Sequence, residues 1–416
     1  MRPEREGAWV AHAAGAIFAL LPIIFALMHR AVAPALYLLA VIALFHKPTR
    51  SALGEAFRAP PSGGARLFFL GAITFSVWTC VTGLWSPRPD KWSWGLSLLS
   101  VLGAGSIVFA FFRHLESRGA RLLARYVAIS LAVAAGLLFF EAISNGFIRQ
   151  ITPPERASKA LDLISLGRGA TAYLPLAWPA AFLVWRLTGR RAAAGAILAT
   201  VFVTGALFLI RANFAAAVVG CALGALALWR PKGALLGVVG AWGLGLFAAP
   251  ALALLLPPAE TLEAAMATWP PSWMHRLIIW RVSADGLLAA PLGCGVECAR
   301  TLGETTAFLK IFGRETLLRL LPNHPHSIFL QVWLELGPVG VAAMAVAIFG
   351  AMKAAAEAKL SRCESAMLAA LAGSLFVSAT IEASLWQMWR PSAAALGFCV
   401  AALAIATDRK KLLHSR

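Results

Sequence analysis

Apolar residues run through this chain in long blocks separated by short polar connectors, a pattern that predicts helices of membrane-spanning length. Twelve blocks are expected, at 8–28, 31–46, 67–85, 93–112, 126–143, 169–186, 192–210, 212–229, 233–256, 334–352, 363–382 and 391–407. The first is followed at once by another and has no small-residue cleavage site, so it is read as retained and not as a secretory signal. The expected fold is an all-α polytopic membrane protein of about twelve transmembrane helices, one domain over residues 1–416.

One interval breaks the rhythm. Between the ninth and tenth blocks the chain runs from Pro257 to Pro325 without a spanning segment, and loops of that length tend to be functional. Within it, from Met274 to Leu288, Leu277, Ile278, Trp280, Val282 and Leu287 alternate with Arg276, Arg281 and Asp285 at helical spacing. That spacing predicts an amphipathic helix over 274–288, lying on or dipping into the membrane surface. A shorter loop from Ser144 to Arg168 carries Arg149, Arg156, Lys159 and Arg168. No internal repeat or separate soluble domain is visible.

Composition agrees with the pattern. Hydrophobic residues make up 60% and charged residues 13% of the chain, more apolar surface than a soluble protein of this size can bury. With the N-terminus inside, most Lys and Arg fall in cytoplasmic connectors, including Arg113, Arg118, Arg121, Arg125, Arg186, Arg190 and Arg191. This is the positive-inside asymmetry, and it accounts for most of the net charge of +18. It puts both termini in the cytoplasm and the long loop in the periplasm of a bacterial inner membrane. Interleaved with spans, the basic residues are expected to meet anionic lipid headgroups and no nucleic acid. Of six cysteines, Cys80, Cys221 and Cys399 lie in spans and Cys363 at an edge. Cys294 and Cys298 share the long loop, where either a local disulfide or two free thiols is open.

Three features carry candidate chemistry. His324 and His326 sit at the mouth of the tenth span, in Asn323-His324-Pro325-His326-Ser327, where a base near neutral pH can meet a sugar hydroxyl. Arg211 lies between two apolar runs, where a charge is costly and a planar guanidinium suits a phosphate. Arg276 and Arg281 lie on the amphipathic helix, with Arg276 on the face of Trp280. Arg168, in Gly167-Arg168-Gly169, is a weaker candidate. Each also has a plain structural reading: capping, snorkelling or a charge over headgroups. No acidic cluster for a divalent cation, Walker loop, dinucleotide fingerprint or hydrolase elbow is present, so neither metal nor cofactor is expected.

The stretch beginning His326-Ser327 continues through nine residues to Gly337, Pro338-Val339 and Gly340. This resembles the His-[Asn/Ser/Gln]-x9-Gly-x2-[Gly/Thr/Tyr] motif of the bacterial O-antigen ligase and polymerase superfamily. Arg276-Leu277-Ile278-Ile279-Trp280 is similar to the family's Arg-x3-Trp segment, followed by Pro291-Leu292-Gly293. Arg211 stands where the family often has Ser-Arg, with Ile210 replacing the serine, and Arg168 follows Gly167 in place of an asparagine. The resemblance implies a GT-C-like, metal-independent, inverting glycosyltransferase working at the periplasmic face. Its donor would be a glycan on undecaprenyl diphosphate and its acceptor the lipid A–core oligosaccharide. His326 would activate the acceptor hydroxyl, with His324 orienting it, while Arg211 and Arg276 would hold the donor diphosphate. A monomer is expected.

The histidine motif favours a ligase over the related O-antigen polymerase or a protein O-oligosaccharyltransferase, which differ in acceptor. A secondary transporter or lipid flippase is the non-enzyme alternative. Such proteins usually place ionisable residues near mid-membrane, whereas here they gather at one edge.

Overall fold

The computed structural model describes residues 3–151, 159–208, 210–259, 261–262, 271–305, 308–310, 317–319 and 321–414, over which the chain is a bundle of long helices. The first half contains α1 (Pro3–Leu27), α2 (Val32–Leu44), α3 (Lys47–Arg58), α4 (Gly63–Thr82), α5 (Ser93–His114), α6 (Ser117–Ile143), α7 (Phe147–Ile151) and α8 (Lys159–Thr188). The second half contains α9 (Arg191–Leu207), α10 (Ala212–Trp229), α11 (Pro231–Leu254), α12 (Pro271–Ala289), α13 (Cys298–Thr305) and α14 (Ile328–Gln331). A π-helical segment, Val332–Leu336, then leads into α15 (Gly337–Glu357), α16 (Arg362–Ile381) and α17 (Trp389–His414).

A helix occupies each of the twelve apolar blocks, but not all of them meet the dimensions of a span. Among the described residues nine segments are long and apolar enough to cross a membrane, or ten if the bent pair α2–α3 counts as one. The blocks at 31–46, 169–186 and 192–210 fall short. α2 has 13 residues and meets α3 at a 95° bend, and α9 has 17 residues. α8 has the length, at 30 residues, but holds Pro175 and Pro179. Its residues from Ala170 to Val184 are buried almost without interruption, so neighbouring helices wall it in and it has no need of a lipid-facing apolar surface. Lipid-facing character belongs instead to exposed Leu20, Ile23, Ile73, Ile129, Leu244 and Phe247.

Small residues decide the packing of α4 on α15. On α4 a Cβ at Gly64 or Gly71 would stand 2.2 or 2.3 Å from the backbone nitrogen of Ala354 or Ala347 on α15. Gly350 makes the reciprocal approach, 2.2 Å from Phe68 N. Backbones this close are held by dispersion contacts that a larger side chain would pry open.

The helix expected over 274–288 is present as the longer α12. The all-α expectation is corrected in one detail, an antiparallel hairpin of β1 (Phe308–Lys310) and β2 (Leu317–Arg319) in the long loop. Helix α3 lies between the second and third apolar blocks, outside all twelve. Cys294 and Cys298 are joined by a disulfide, which closes the question their spacing left open.

Candidate functional site

The site is assembled where α12, the His326 stretch and the end of α16 meet. Locally, the motif glycines have a physical cause. Gly337 has φ +63°, and a Cβ there would lie 2.2 Å from Leu292 O, so a side chain is excluded both by conformation and by space. The helix is interrupted at Gly337, and Pro338 has no N–H to offer, so the last carbonyls of the π-helical turn take partners elsewhere. Leu334 O accepts from Cys294 N and Glu335 O from Gly295 N, each at 2.9 Å, and Leu336 O accepts from Trp78 Nε1 at 2.7 Å. Binding these carbonyls fastens the loop around the disulfide to the motif helix.

The buried carboxylate of Glu335 completes the fastening. It accepts from Glu297 N at 2.8 Å, Trp386 Nε1 at 2.6 Å and Gln331 Nε2 at 3.2 Å. Gln331 Oε1 in turn accepts from Leu385 N at 3.0 Å. One turn of the motif helix thus clamps the 293–298 loop on one side and the segment between α16 and α17 on the other.

At the head of this helix, His326 adopts a left-handed backbone conformation, φ +54°. Its amide donates to His324 Nδ1 at 3.1 Å, and the two rings meet tilted at 50° with centroids 4.3 Å apart. The His326 ring also hydrogen-bonds the main chain of Glu382. Its Nδ1 is buried and has no hydrogen-bond partner among the described residues.

Arg276 reaches the same place from α12. Its Nε donates to Ile381 O at 2.9 Å and its Nη1 to Ser272 O at 3.0 Å, while Nη2 has no hydrogen bond among the described residues. Arg276 and His326 are therefore anchored on consecutive main-chain positions, Ile381 and Glu382, where α16 ends.

The electrostatics follow from burial and from this crowding. Burial first, and Arg276 next, hold the His326 imidazole down at about 4, against a weaker upward pull from Glu382. His324 lies well below the usual range, through burial and then through His326, Arg390 and Arg168. Both rings are neutral at pH 7. Burial would raise the Glu382 carboxyl, but Arg390, with help from His326 and Arg276, brings it below its ordinary value.

Glu382 and Arg390 form a two-pronged ion pair with both side chains 10% exposed. Arg390 Nη1 donates to Glu382 Oε2 at 2.6 Å, and Nη2 donates to Oε1. Nothing in the sequence marks these residues as partners of His326: they lie far from it along the chain and join it only through the fold. Beneath them a cavity of about 200 Å³ is lined by Leu174, Trp242, Ser378, Ala379, Arg390 and others, chiefly apolar.

The other sequence candidates are placed differently. Arg211 is exposed in the turn before α10, and its one described hydrogen bond is to Ala206 O in that turn. The neighbouring Asn213 links this turn to α8, accepting from Thr171 Oγ1 at 2.9 Å and donating to Gly167 O at 3.0 Å. Thr171 lines the apolar cavity, as does Arg390. Arg168 is exposed on α8, with its charge felt at His324. Arg281 has a structural employment: Nη1 donates to Leu254 O and Leu256 O at 2.8 and 2.5 Å, capping α11, and the guanidinium pairs with Asp285 at 3.0 Å. Among the described residues no group of three or more His, Cys, Asp or Glu is disposed to hold a metal ion.

No protein-family model matches the chain. Among curated proteins it is 31% identical over 141 residues to a Rickettsia prowazekii protein and 30% identical over 141 residues to one of Rickettsia typhi. Each of these carries the name "Putative polysaccharide ligase", and in each case the match covers 34% of this chain and 34% of the relative. A protein of Rickettsia conorii is 28% identical over 145 residues. The chain thus spans about a third of the length of the curated relatives it matches, and over that third it is similar to proteins named as polysaccharide ligases.

Proposed function

We propose that this chain is a membrane glycosyltransferase that moves a polysaccharide from a polyprenyl-diphosphate carrier to a hydroxyl of a lipid-linked acceptor glycan. The particular reading is ligation of O-antigen from undecaprenyl diphosphate to lipid A–core. The observation that carries it is the anchoring of Arg276 and His326 side by side at Ile381 and Glu382. A cation for a leaving diphosphate and a base for an incoming hydroxyl belong close together but on opposite sides of the sugar carbon. The polysaccharide-ligase names of the rickettsial relatives and the multi-span helical architecture support the same reading.

In this account the acceptor hydroxyl gives its proton to the neutral His326 imidazole as its oxygen attacks the anomeric carbon. The bond from that carbon to the diphosphate oxygen breaks, and its electron pair leaves with the diphosphate. Attack from the opposite face inverts the anomeric configuration. Arg276, through an Nη2 with no hydrogen bond among the described residues, stabilises the growing charge on the diphosphate, and the exposed Arg211 in the turn before α10 is proposed as a second cation for the donor. Donor binding also primes the base. An anion on Arg276 cancels part of the positive charge that lowers His326, so its basicity rises only once donor is in place.

The site is read as facing the periplasm, because the connectors at the opposite end of the bundle carry Arg113, Arg118, Arg121, Arg125, Arg190 and Arg191. The test is transfer by purified protein in detergent from a polyprenyl-diphosphate-linked glycan to lipid A–core. Product formation from that pair supports the reading. Extension of the donor glycan with no product on lipid A–core would make the chain a polymerase instead.

A further inference from the structure

We infer that Glu382 and Arg390 are the positioning pair of this site, holding the end of α16 so that its main chain presents His326 and Arg276 together. The inference rests on the glycosyltransferase reading and adds to it two residues that never touch substrate.

The argument begins with the helix end. α16 stops at Ile381, and Glu382 leaves the helix with φ −148°. Carbonyls at a helix C-terminus lack intrahelical partners and need others. Here Ile381 O takes Arg276 Nε, and the Glu382 main chain takes the His326 ring. The orientation of both site residues is therefore only as fixed as residues 381 and 382 are. The turn has main-chain restraint at Ser378 O, which accepts from Glu382 N at 3.1 Å and Ala383 N at 2.8 Å. What holds the Glu382 side of the turn in depth is the two-pronged grip of Arg390.

Four of the five N–H groups of Arg390 are committed within the protein. Its Nη1 serves Glu382 and, at 3.3 Å, Ser378 Oγ; its Nε donates to Gln387 Oε1 at 2.6 Å; Nη2 is on Glu382. Its guanidinium lies 4.4 Å from the Trp389 ring, and His29 packs edge-on against the same indole with centroids 5.0 Å apart. Contrast Arg276, whose Nη2 is unengaged among the described residues. One arginine is built to be held, the other to hold something.

The pair fixes chemistry as well as place. Glu382 lies close enough to the His326 ring for its main chain and its carboxylate both to favour the protonated imidazole. The charged groups around His326 are Arg276 and His275 on α12, His324 in its own stretch, and Glu382 after α16, with Arg390 behind Glu382. Of these only Glu382 favours the protonated ring, so removing its charge moves the acidic limb of activity to lower pH.

The experiment compares wild type with His326→Ala, Glu382→Gln and the double variant E382Q/R390Q, which leaves no unpaired buried charge. Transfer is measured with purified protein across a pH series and across donor concentrations. For both Glu382 variants we expect kcat to fall by about tenfold or more, as misplaced catalytic groups do. Donor KM should change less, because Arg276 keeps its second anchor at Ser272 O. The acidic limb should shift to lower pH in both. Wild-type kcat with an unmoved limb in either folded variant, while His326→Ala is inactive, overturns this inference and leaves the glycosyltransferase reading standing. Absence of transfer by wild type overturns both.

Discussion

Two arginines that look alike in the sequence end up in different physical situations. Arg276 is half-buried, tied to the carbonyls of Ile381 and Ser272, and close enough to His326 to depress its basicity. Arg211 is exposed in a turn and bonds only the carbonyl of Ala206 within it, among the described residues. A pre-anchored cation loses little freedom on binding an anion, whereas a mobile one must be ordered at that moment. On the proposed glycosyltransferase reading, Arg276 would serve the transition state and Arg211 the capture of the donor.

The sharpest way to break this contrast is to remove each group in turn. Loss of His326, as in His326→Ala, should have the largest effect, reducing kcat by about 100-fold or more, the range for a general base. Arg276→Ala should lower kcat by about 100-fold as well, since stabilisation of a leaving charge is lost. Its signature is a kcat effect exceeding the KM effect. Arg211→Ala should instead raise donor KM by about tenfold, the worth of one charged hydrogen bond, with kcat nearly intact. Equal kcat losses for the two arginines would erase the distinction.

A smaller effect concerns pH. His326 acts as a base only when neutral, so activity falls as pH drops through its pKa. In the free protein that pKa is about 4, so kcat/KM should hold down to that region. With donor on Arg276 the pKa is higher, and the acidic limb of kcat should lie at higher pH than that of kcat/KM. Coincident limbs would separate Arg276 from the diphosphate. Smallest of all for activity is Arg281→Ala: it uncaps α11 and should lower thermal stability while leaving transfer rates close to wild type.

Much of the bundle was legible because hydrophobic blocks of spanning length have few alternatives in a membrane. Three blocks fell short: α8 is long enough but not apolar enough, as befits a helix enclosed by protein; α9 has only 17 residues; and α2 ends after 13 and turns sharply at His46, where the ring bonds Thr49 Oγ1 at 2.9 Å. At the site, the motif announced Gly337 and His326, and the structure supplies the causes: the positive φ and the close approach of Leu292 O at Gly337. Arg276 was legible from its place on an amphipathic helix. Glu382, Arg390 and the clamp at Glu335 were not, because each acts through partners distant in sequence, and an isolated acid beside a span has no pattern to read. Arg281 shared the helix of Arg276 but was recruited by the carbonyls of α11, a choice made by packing and not by spacing.

The most direct test of the central claim is transfer of glycan from a polyprenyl-diphosphate donor to lipid A–core by purified wild type and His326→Ala, with folding checked by thermal melting. The account predicts transfer by wild type and loss of it in a variant that melts like wild type. Undiminished transfer by His326→Ala would contradict it.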